Sequence, residues 1–379
     1  MNKTKLDKPL IAVMLILMVI GLIMVLSASS MASYMRYQNS VYYYLIRQSV
    51  FMGLGLITYL IALYFPTKLF KKTSPILMIL LILSLLGLII YGEVYSGTKG
   101  WYDLKIITIQ PSEIGKIIVI LYLAYYYEKH KDDLDNQWTL IKPLLAIIIV
   151  FVLITIQPDL GTASVYFLIT ILIFYALPLK KETRKPINRI FLGGIALVGL
   201  LLLLTGGSFL RDYQLQRFNF ISPCKRYEEE SGYQLCNSLI AFNNGGLTGK
   251  GPGESTQKYL YLPESHTDFI YPIIVEEWGL VGGLVIIILY IIMLYRILKI
   301  ATSATNLGSS IIAYGIFAYV LIHIVINLVG VMGIGPLTGL PLPFLSYGGT
   351  YTITLLFSMG LVQRVHYETY KKQKKNPKA

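Results

Sequence analysis

The sequence has few charged residues and almost no cysteine. Asp, Glu, Lys and Arg make up 14% of its 379 residues, whereas soluble domains carry about 25%. Two cysteines are too few for a disulfide-rich scaffold. Hydrophobic residues, by contrast, make up 55%, which is more apolar surface than a soluble monomer of this size can bury. These features exclude a soluble globular enzyme, a disordered protein and a collagen-like fibre.

The apolar residues lie in long continuous segments rather than in the alternating pattern of an outer-membrane barrel. A helix needs about 20 mostly apolar residues to cross a bilayer. We therefore predict an all-α integral membrane protein, a single polytopic membrane domain over residues 1–379 with ten transmembrane helices. Their predicted ranges are 9–30, 43–65, 75–92, 109–127, 142–156, 160–178, 190–206, 269–295, 311–332 and 346–363.

Lysine and arginine are concentrated at the N-terminus, in every second connection and in the C-terminal segment. The positive-inside rule assigns such segments to the cytoplasm, so we predict that both termini are cytoplasmic. The basic tail, residues 366–379, is interpreted as a cytoplasmic topology signal that meets anionic lipid rather than as a nucleic-acid binding segment.

A long extracellular loop, residues 207–267, is predicted between helices seven and eight. Loops of roughly 60 residues are usually functional or disordered, and the aromatic residues of this loop disfavour disorder. We expect short helices at the outer membrane surface. Cys224 and Cys236 both fall in this loop, and their spacing leaves open a disulfide and two free thiols.

Charged residues inside predicted spans are functional candidates by default. Glu113 and Lys116 lie three residues apart on one helix face, so they can pair. A structural ion pair and a functional pair both stay open. Asp159, which follows Pro158, is either the cap of a helix start or a functional carboxylate near the outer surface.

The segment before predicted helix eight brings three ionisable residues together at the outer lipid–water boundary. These are Glu264, His266 and Asp268. Partial burial there raises the proton affinity of a carboxylate towards the range of a general base, although an Asp at a helix start can also be an N-cap. Glu276 and Glu277 lie about 12–14 Å further along the helix, where we predict a supporting role.

A glycine-rich segment, residues 243–253, has the look of a phosphate-binding loop but lacks the Gly and the Ser or Thr that the G-x-x-x-x-G-K-[ST] pattern requires. It still carries Lys250 and is followed by Ser255, Gln257 and Lys258. These residues can hold an anionic head group by backbone N–H groups and ammonium. A plain mobile loop is the alternative.

The last outer loop, residues 335–349, contains three prolines and is too rich in Gly and Pro for a regular helix. Irregular backbone at membrane depth has to be buried in protein or line a wet cavity. We predict that His323 and Asn327 satisfy its freed backbone groups, and that Ser346 supports the loop from within.

With these residues identified, the chain resembles the SEDS family (shape, elongation, division and sporulation) of FtsW and RodA type. One departure is Asn237, where the family usually shows Gln. The matching motifs follow the family's order over about 270 residues: Lys99-Gly100-Trp101, Gln110-Pro111-Ser112-Glu113 with Lys116, Gln157-Pro158-Asp159-Leu160-Gly161-Thr162, Gln257 to Glu264 running into His266-Thr267-Asp268-Phe269, and Pro336 to Gly349.

The resemblance implies a glycosyltransferase in the cytoplasmic membrane of a bacterium, which polymerises lipid II into glycan strands on the outer face. Asp268 matches the family's essential aspartate and is our predicted general base; undecaprenyl diphosphate is the leaving group, whose charge needs Lys, Arg or a divalent cation (Mg or Mn). No ligand cluster in the sequence specifies a metal. The predicted substrate-binding residues are Trp101, Lys116, Arg211, Lys250, Ser255, Gln257, Lys258, Glu264 and His266; Glu113, Asp159, Glu276, Glu277, Asn327 and Ser346 are assigned to support.

Family likeness also implies a class B penicillin-binding transpeptidase as partner, together with other divisome or elongasome membrane proteins. The loop before Asp268 favours the division type over the elongation and sporulation types. Two other functions are compatible with the sequence: a lipid II flippase, and a non-catalytic scaffold that recruits wall-synthesis enzymes. No nucleic acid is expected as a partner.

Overall fold

The long apolar runs of the sequence form long α-helices. The computed structural model describes residues 6–37, 40–95, 97–105, 107–186, 188–189, 192–193, 212–259 and 261–375. The helices are α1 (Lys8–Tyr37), α2 (Tyr43–Tyr64), α3 (Thr67–Tyr91), α4 (Pro111–Lys129), α5 (Gln137–Ile156), α6 (Leu160–Ala176), α7 (Asp212–Phe218), α8 (Glu230–Gly245), α9 (Ile270–Ser303), α10 (Leu307–Val331) and α11 (Gly349–Lys375).

Six of these helices, α1, α2, α3, α5, α9 and α10, are long and apolar enough to cross a membrane. The prediction of a helical multi-pass membrane protein is therefore confirmed, while the count of ten spans stays a prediction. Helix α6 is apolar but shorter, with 17 residues. The predicted seventh span, 190–206, and the first part of the predicted outer loop fall outside the described residues, apart from 192–193.

Three helices are longer than the hydropathy of the sequence indicates. Helix α3 begins at Thr67 and contains Pro75. Pro75 has no N–H to donate to the Lys71 carbonyl, which accepts a 2.6 Å hydrogen bond from the Ser74 hydroxyl. Helix α5 begins at Gln137 and contains Pro143. Helix α11 continues through the polar residues of the predicted tail as far as Lys375.

Helix α10 lies at the centre of the bundle, where it packs against α4, α6, α9 and α11. Most of its residues are buried, and they include His323 and Asn327. Helix α11 packs along α2, and Gly360 permits this close approach because a Cβ atom there would come within 2.4 Å of the Tyr59 carbonyl oxygen. The core is therefore built between helices rather than around one sheet.

A small antiparallel sheet and a disulfide shape the segments outside the helical bundle. The sheet has the order β1 (Glu93–Tyr95), β2 (Thr98–Asp103), β3 (Thr108–Ile109). Cys224 and Cys236 form a disulfide with an S–S distance of 2.01 Å, which resolves the choice between bonded and free cysteines. It ties the 3-10 turn Pro223–Arg226 to α8.

Helix α9 is interrupted at Gly279, whose φ of +71° is outside the helical region. The segment 246–251 fills this interruption. The Lys250 and Gly251 N–H groups donate to the Glu276 and Glu277 carbonyls, both at 3.0 Å. In return, the N–H groups of residues 280 and 281 donate to the carbonyls of residues 246 and 247. The loop thus supplies the hydrogen bonds that the helix loses.

Candidate active site

A cavity of about 700 Å³ opens at one end of the helical bundle. The N-terminal ends of α4, α6 and α11 and the segment that enters α9 all border it, together with the sheet, α7 and α8. The helix macrodipole gives each N-terminus about half a positive charge. The ionisable side chains that line the cavity are Glu113, Asp159, Arg217, Glu230, Glu264 and Asp268.

Asp268 lies in the wall of this cavity and is half-buried. Helix α9 begins at Ile270 with Phe269 as its N-cap, and this cap makes no side-chain hydrogen bond. Asp268 is therefore not the N-cap, which was the alternative for this residue. The Thr267 hydroxyl lies 3.1 Å from Asp268 Oδ1 and 2.8 Å from Glu264 Oε2, so its single hydrogen serves one carboxylate at a time.

The electrostatic surroundings of Asp268 favour proton uptake. Burial, and after it the neighbouring Glu264 charge, raise the pKa of Asp268 to about 7, although a backbone hydrogen bond, the Thr267 hydroxyl and Arg217 oppose the rise. A carboxylate with a pKa close to neutrality is partly ionised at pH 7 and holds an accepted proton well. The arrangement suits a general base.

Asn327 joins the backbone of Asp268 to the outer loop. Its Nδ2 donates to the Asp268 carbonyl at 2.7 Å and to the Leu340 carbonyl at 2.8 Å. His323 Nδ1 lies 3.2 Å from the Pro341 carbonyl, and the Ser346 hydroxyl accepts a 2.8 Å bond from the Leu342 N–H. These contacts agree with the support predicted for Asn327, His323 and Ser346, whose contribution to function stays a prediction.

Glu113 and Lys116 form the pair that their spacing predicts, with 2.7 Å between Lys116 Nζ and Glu113 Oε1. Lys116 is fully buried, and its Nζ also lies 3.1 Å from His323 Nε2. Glu113 lines the cavity, whereas Lys116 does not. The structure therefore places the predicted ligand cation Lys116 behind Glu113.

Asp159 is the cap of a helix start, which is one of the two alternatives that its sequence context left open, and a functional role stays a prediction. Its Oδ1 accepts a 2.9 Å bond from the Thr162 N–H and so caps α6, while the residue also lines the cavity. Gln110 Nε2 approaches Asp159 Oδ2 at 3.4 Å. Trp101, on β2, lines the same cavity.

The predicted head-group residues of the glycine-rich loop do not reach the cavity. Lys250 and Ser255 bind Glu276 at 3.1 and 2.5 Å, and Lys258 binds Glu277 at 3.1 Å. The physical reason is that a carboxylate buried as completely as Glu276 requires donors around it. The structure thus corrects the position expected for these residues.

Two further predicted substrate-binding residues, Gln257 and His266, do not line the cavity. Gln257 is buried and donates its N–H to Glu276 at 3.1 Å. The His266 ring packs against Tyr44, with 4.4 Å between ring centroids, and against Tyr347 at 5.7 Å. Arg211 lies outside the described residues.

Sequence reasoning missed Arg217, Gln110 and Thr267. Arg217 belongs to the short helix α7, and its carbonyl accepts a 3.2 Å bond from the Leu337 N–H of the outer loop. No membrane-embedded charge marks this residue in the sequence, because it lies in a polar loop. Thr267 and Gln110 lie close in sequence to Asp268 and Glu113. Hydroxyl and amide side chains beside the predicted carboxylates were the signal that could have identified them.

The residues that the structure describes contain no group of three or more His, Cys, Asp or Glu side chains arranged to hold a metal ion. Glu264 and Asp268 approach the same Thr267 hydroxyl, but within the described residues no third side chain of this kind joins them.

Comparison with known proteins extends over almost the whole chain. Residues 7–371 match the model of a family described as cell cycle protein and built on FtsW, RodA and SpoVE. The probable peptidoglycan glycosyltransferase FtsW of Bacillus subtilis is 35% identical over 377 residues, which cover 97% of this chain and 93% of that protein. Stage V sporulation protein E of the same organism is 34% identical, with coverages of 97% and 99%.

Solved structures agree with the fold. A chain of the structure described as structural coordination of polymerization and crosslinking by a peptidoglycan synthase complex matches with a TM-score of 0.76 at 25% identity, covering 97% of this chain and 99% of that chain. The rod shape determining protein RodA of Thermus thermophilus matches with a TM-score of 0.68 at 24% identity, with coverages of 98% and 99%. The latter supports the arrangement of helices.

Proposed function

The chain belongs to the FtsW, RodA and SpoVE family, and on this premise we propose that it is a peptidoglycan glycosyltransferase of the membrane that polymerises lipid II with Asp268 as general base. The observation that carries the proposal is the half-buried Asp268 in the wall of the cavity, with a pKa raised to about 7. A curated relative named for this activity, 35% identical, supports the reaction class.

In the proposed reaction, Asp268 takes the proton of the acceptor sugar's 4-hydroxyl. The hydroxyl oxygen attacks the anomeric carbon of the donor, and the bond from that carbon to undecaprenyl diphosphate breaks with its electron pair. One direct displacement inverts the configuration, which converts an α-linked donor into a β-linked product. Positioned base catalysis of this kind typically contributes 10²–10⁴-fold to a rate.

The leaving diphosphate needs positive charge, and the cavity offers it from two sources. Arg217 is the basic side chain among the described residues that line the cavity, and a guanidinium binds phosphate oxygens in a bidentate manner. The N-terminal ends of α4, α6 and α11 add partial positive charges. Arg217 thus replaces Lys116, Lys250 and Lys258 as the proposed diphosphate contact within the described part of the chain.

A divalent cation, Mg or Mn, would supply further charge neutralisation if it entered with the diphosphate. Among the described residues, Arg217 and the helix ends are the positive contacts that would share the diphosphate with such a cation.

The proposal includes an orientation in a bacterial cytoplasmic membrane. Ten spans would place both termini in the cytoplasm and the cavity at the extracellular end. The exposed lysines of α11 support this orientation, because they lie at the opposite end of the helix from Gly349, which lines the cavity. Crosslinking of the product strands would come from a class B penicillin-binding transpeptidase, and the description of the matched synthase complex, which names both polymerization and crosslinking, supports such a partner.

The experiment is polymerisation of labelled lipid II by the purified chain in complex with its transpeptidase. Asp268→Asn should abolish glycan strands while the complex stays assembled. Glu254→Gln is the matched control, because Glu254 is an exposed carboxylate of the same connection outside the cavity. Strands made normally by Asp268→Asn would contradict the mechanism. Lipid scrambling without polymer would instead indicate a flippase, and a lack of both activities in the unaltered chain would indicate a scaffold.

A further inference from the structure

A groove of about 270 Å³ lies along the last three turns of α11, at the end of the molecule opposite the cavity. We call it the basic groove. From Gly349 to Lys371 the helix rises about 33 Å at 1.5 Å per residue, which is the thickness of a bilayer core. The groove is lined by Arg364, Tyr367, Glu368, Lys371, Lys372 and Lys375.

The single acidic residue in the lining of the groove is already neutralised. Glu368 Oε1 accepts a 2.8 Å bond from Arg364 Nε, and the Thr67 N–H and hydroxyl donate to its two carboxylate oxygens at 3.0 and 2.6 Å. Arg364 is committed as well, because its Nη1 donates to the carbonyls of Leu63 and Tyr64 at the end of α2. These contacts fix the floor of the groove.

The lysines of the groove, by contrast, have no acidic partner. Lys371, Lys372 and Lys375 are exposed, and no carboxylate within the described ranges forms an ion pair with them. Their spacing of one, three and four residues places them on one side of the helix. Lys68 and Lys72 are also exposed and lie in the first two turns of α3, which the Thr67–Glu368 contact holds against α11.

The lysines of the basic groove carry more positive charge than is needed to balance the dipole of α11. The C-terminus of a helix carries about half a negative charge, which one lysine suffices to balance. The basic groove holds three uncompensated lysines, and Lys374 adds a fourth to the same turn. Concentration of like charge on a folded helix costs energy unless an anion neutralises it.

The surroundings of the groove suit the region where a bilayer meets water. Tyr367 lines the groove, and its ring lies 5.1 Å from the Arg364 guanidinium. Tyr370 follows it, and aromatic residues of this kind are enriched at headgroup level. Val365 and Thr369 are still buried, whereas residues 371–375 are exposed. The groove thus spans the point where the packed part of the helix ends.

We propose that the basic groove binds the phosphate headgroup of an anionic phospholipid. Arg364 and Tyr367 form the fixed floor, and Lys371, Lys372 and Lys375 supply the mobile ammonium groups that contact phosphate oxygens as point charges. The site does not depend on the proposed function; only its assignment to the cytoplasmic leaflet rests on that proposal. Its role is to anchor α11, the helix whose other end lines the cavity.

The test uses the full chain in lipid vesicles that contain traces of spin-labelled phosphatidylglycerol or phosphatidylcholine. The measured quantity is the preference of the protein for the anionic lipid in its motionally restricted shell. Replacing Lys371, Lys372 and Lys375 together by Gln should lower this preference about tenfold, which corresponds to about 1.4 kcal/mol, because three ammonium groups that attract anionic lipid are lost. High salt should lower it in the unaltered chain.

A second triple variant separates a site from general surface charge. Replacing Lys129, Lys131 and Lys181 by Gln removes the same charge from exposed positions in other connections, and should leave most of the preference intact. An equal loss in both triple variants, or no preference for phosphatidylglycerol in the unaltered chain, would overturn the proposal. Retained preference in the groove variant would overturn it too. Lipid II polymerisation in detergent should persist in the groove variant, and it reports on the proposed function separately.

Discussion

Two carboxylates on either side of the start of α9 are held in opposite ways. Glu276 is fully buried and accepts hydrogen bonds from five donors, which are Asn244, Lys250, Ser255, Thr256 and the Gln257 N–H. Asp268 is half-buried, borders the cavity, and has the shared hydroxyl of Thr267 at 3.1 Å from its Oδ1. The two are eight residues apart.

The comparison indicates a structural carboxylate at Glu276, whose oxygens are occupied by donors, and a carboxylate at Asp268 that is open to a ligand in the cavity. The donors around Glu276 stabilise its charge and tie residues 244–257 to the helix. The surroundings of Asp268 destabilise its charge, because burial and Glu264 raise its pKa to about 7. A saturated carboxylate has no free lone pairs for a substrate hydroxyl, whereas a poorly solvated one gains by taking a proton.

Replacement of Asp268 gives the largest expected change in activity. Asp268→Asn should lower the rate of lipid II polymerisation by about 10²–10⁴-fold, because the proposed general base is lost. The folded chain should keep or gain stability above pH 7. The folded-state pKa is raised, so the ionised carboxylate costs stability as pH rises through about 7, and Asn removes that cost. A variant that unfolds more readily at pH 8 would break the comparison.

Replacement of Glu276 should act on structure. Glu276→Gln leaves the exposed Lys250 ammonium without its ion pair and cannot accept from all five donors. Each buried donor left without a partner costs about 1–3 kcal/mol. We expect faster amide hydrogen exchange over residues 246–258 and a lower unfolding midpoint. Glu254→Gln, an exposed change in the same segment, is the control. An unchanged rate of amide hydrogen exchange in Glu276→Gln would contradict the structural role assigned to Glu276.

The disulfide of Cys224 and Cys236 should matter less. It closes a segment with a sequence separation of 12 residues, for which the loss of chain entropy predicts about 3 kcal/mol. Replacing both cysteines by Ser should lower the unfolding midpoint and speed exchange in the 3-10 turn and α8. Polymerisation should fall only modestly, since neither cysteine is among the residues that line the cavity. A loss as large as that of Asp268→Asn would show that the turn is part of the site.

The smallest effect concerns the pH profile. Glu264→Gln removes the charge that raises the pKa of Asp268, so the acidic limb of the rate profile should move to lower pH while the plateau changes little. The amide can still accept the Thr267 hydrogen bond, which preserves the local contact. An acidic limb that stays in place would show that burial alone sets the proton affinity of Asp268.

The sequence was most informative where burial of charge is costly. Asp268, Glu113 and Asp159 stood out because ionisable groups are rare beside a bilayer, and all three line the cavity. Lys250 and Lys258 were misplaced because their partners, Glu276 and Glu277, lie 26 and 19 residues further along the chain. No local pattern reveals that the loop returns to the helix.

Other features could not be predicted from hydropathy at all. The last turns of α11 are polar, so an apolar window ends before the helix does. Arg217 lies in a polar loop, where a positive charge is ordinary. Only the folded structure shows that this residue lines the cavity. The disulfide could not be predicted because the spacing of two cysteines in sequence does not give the distance between their Cα atoms, which is 4.9 Å in the structure.

The interruption of α9 at Gly279 limits the insertions and deletions that residues 246–251 of this chain can tolerate. Four backbone hydrogen bonds join residues 246, 247, 250 and 251 to residues on both sides of the interruption. Adding or removing one residue between 247 and 250 would misalign the donors on one side with their acceptors. The length of the segment is therefore fixed, and Gly249 cannot take a side chain, because a Cβ atom there would lie 2.2 Å from the Glu277 carbonyl oxygen. Random one-codon insertions should be recovered on either side of the segment and not within it.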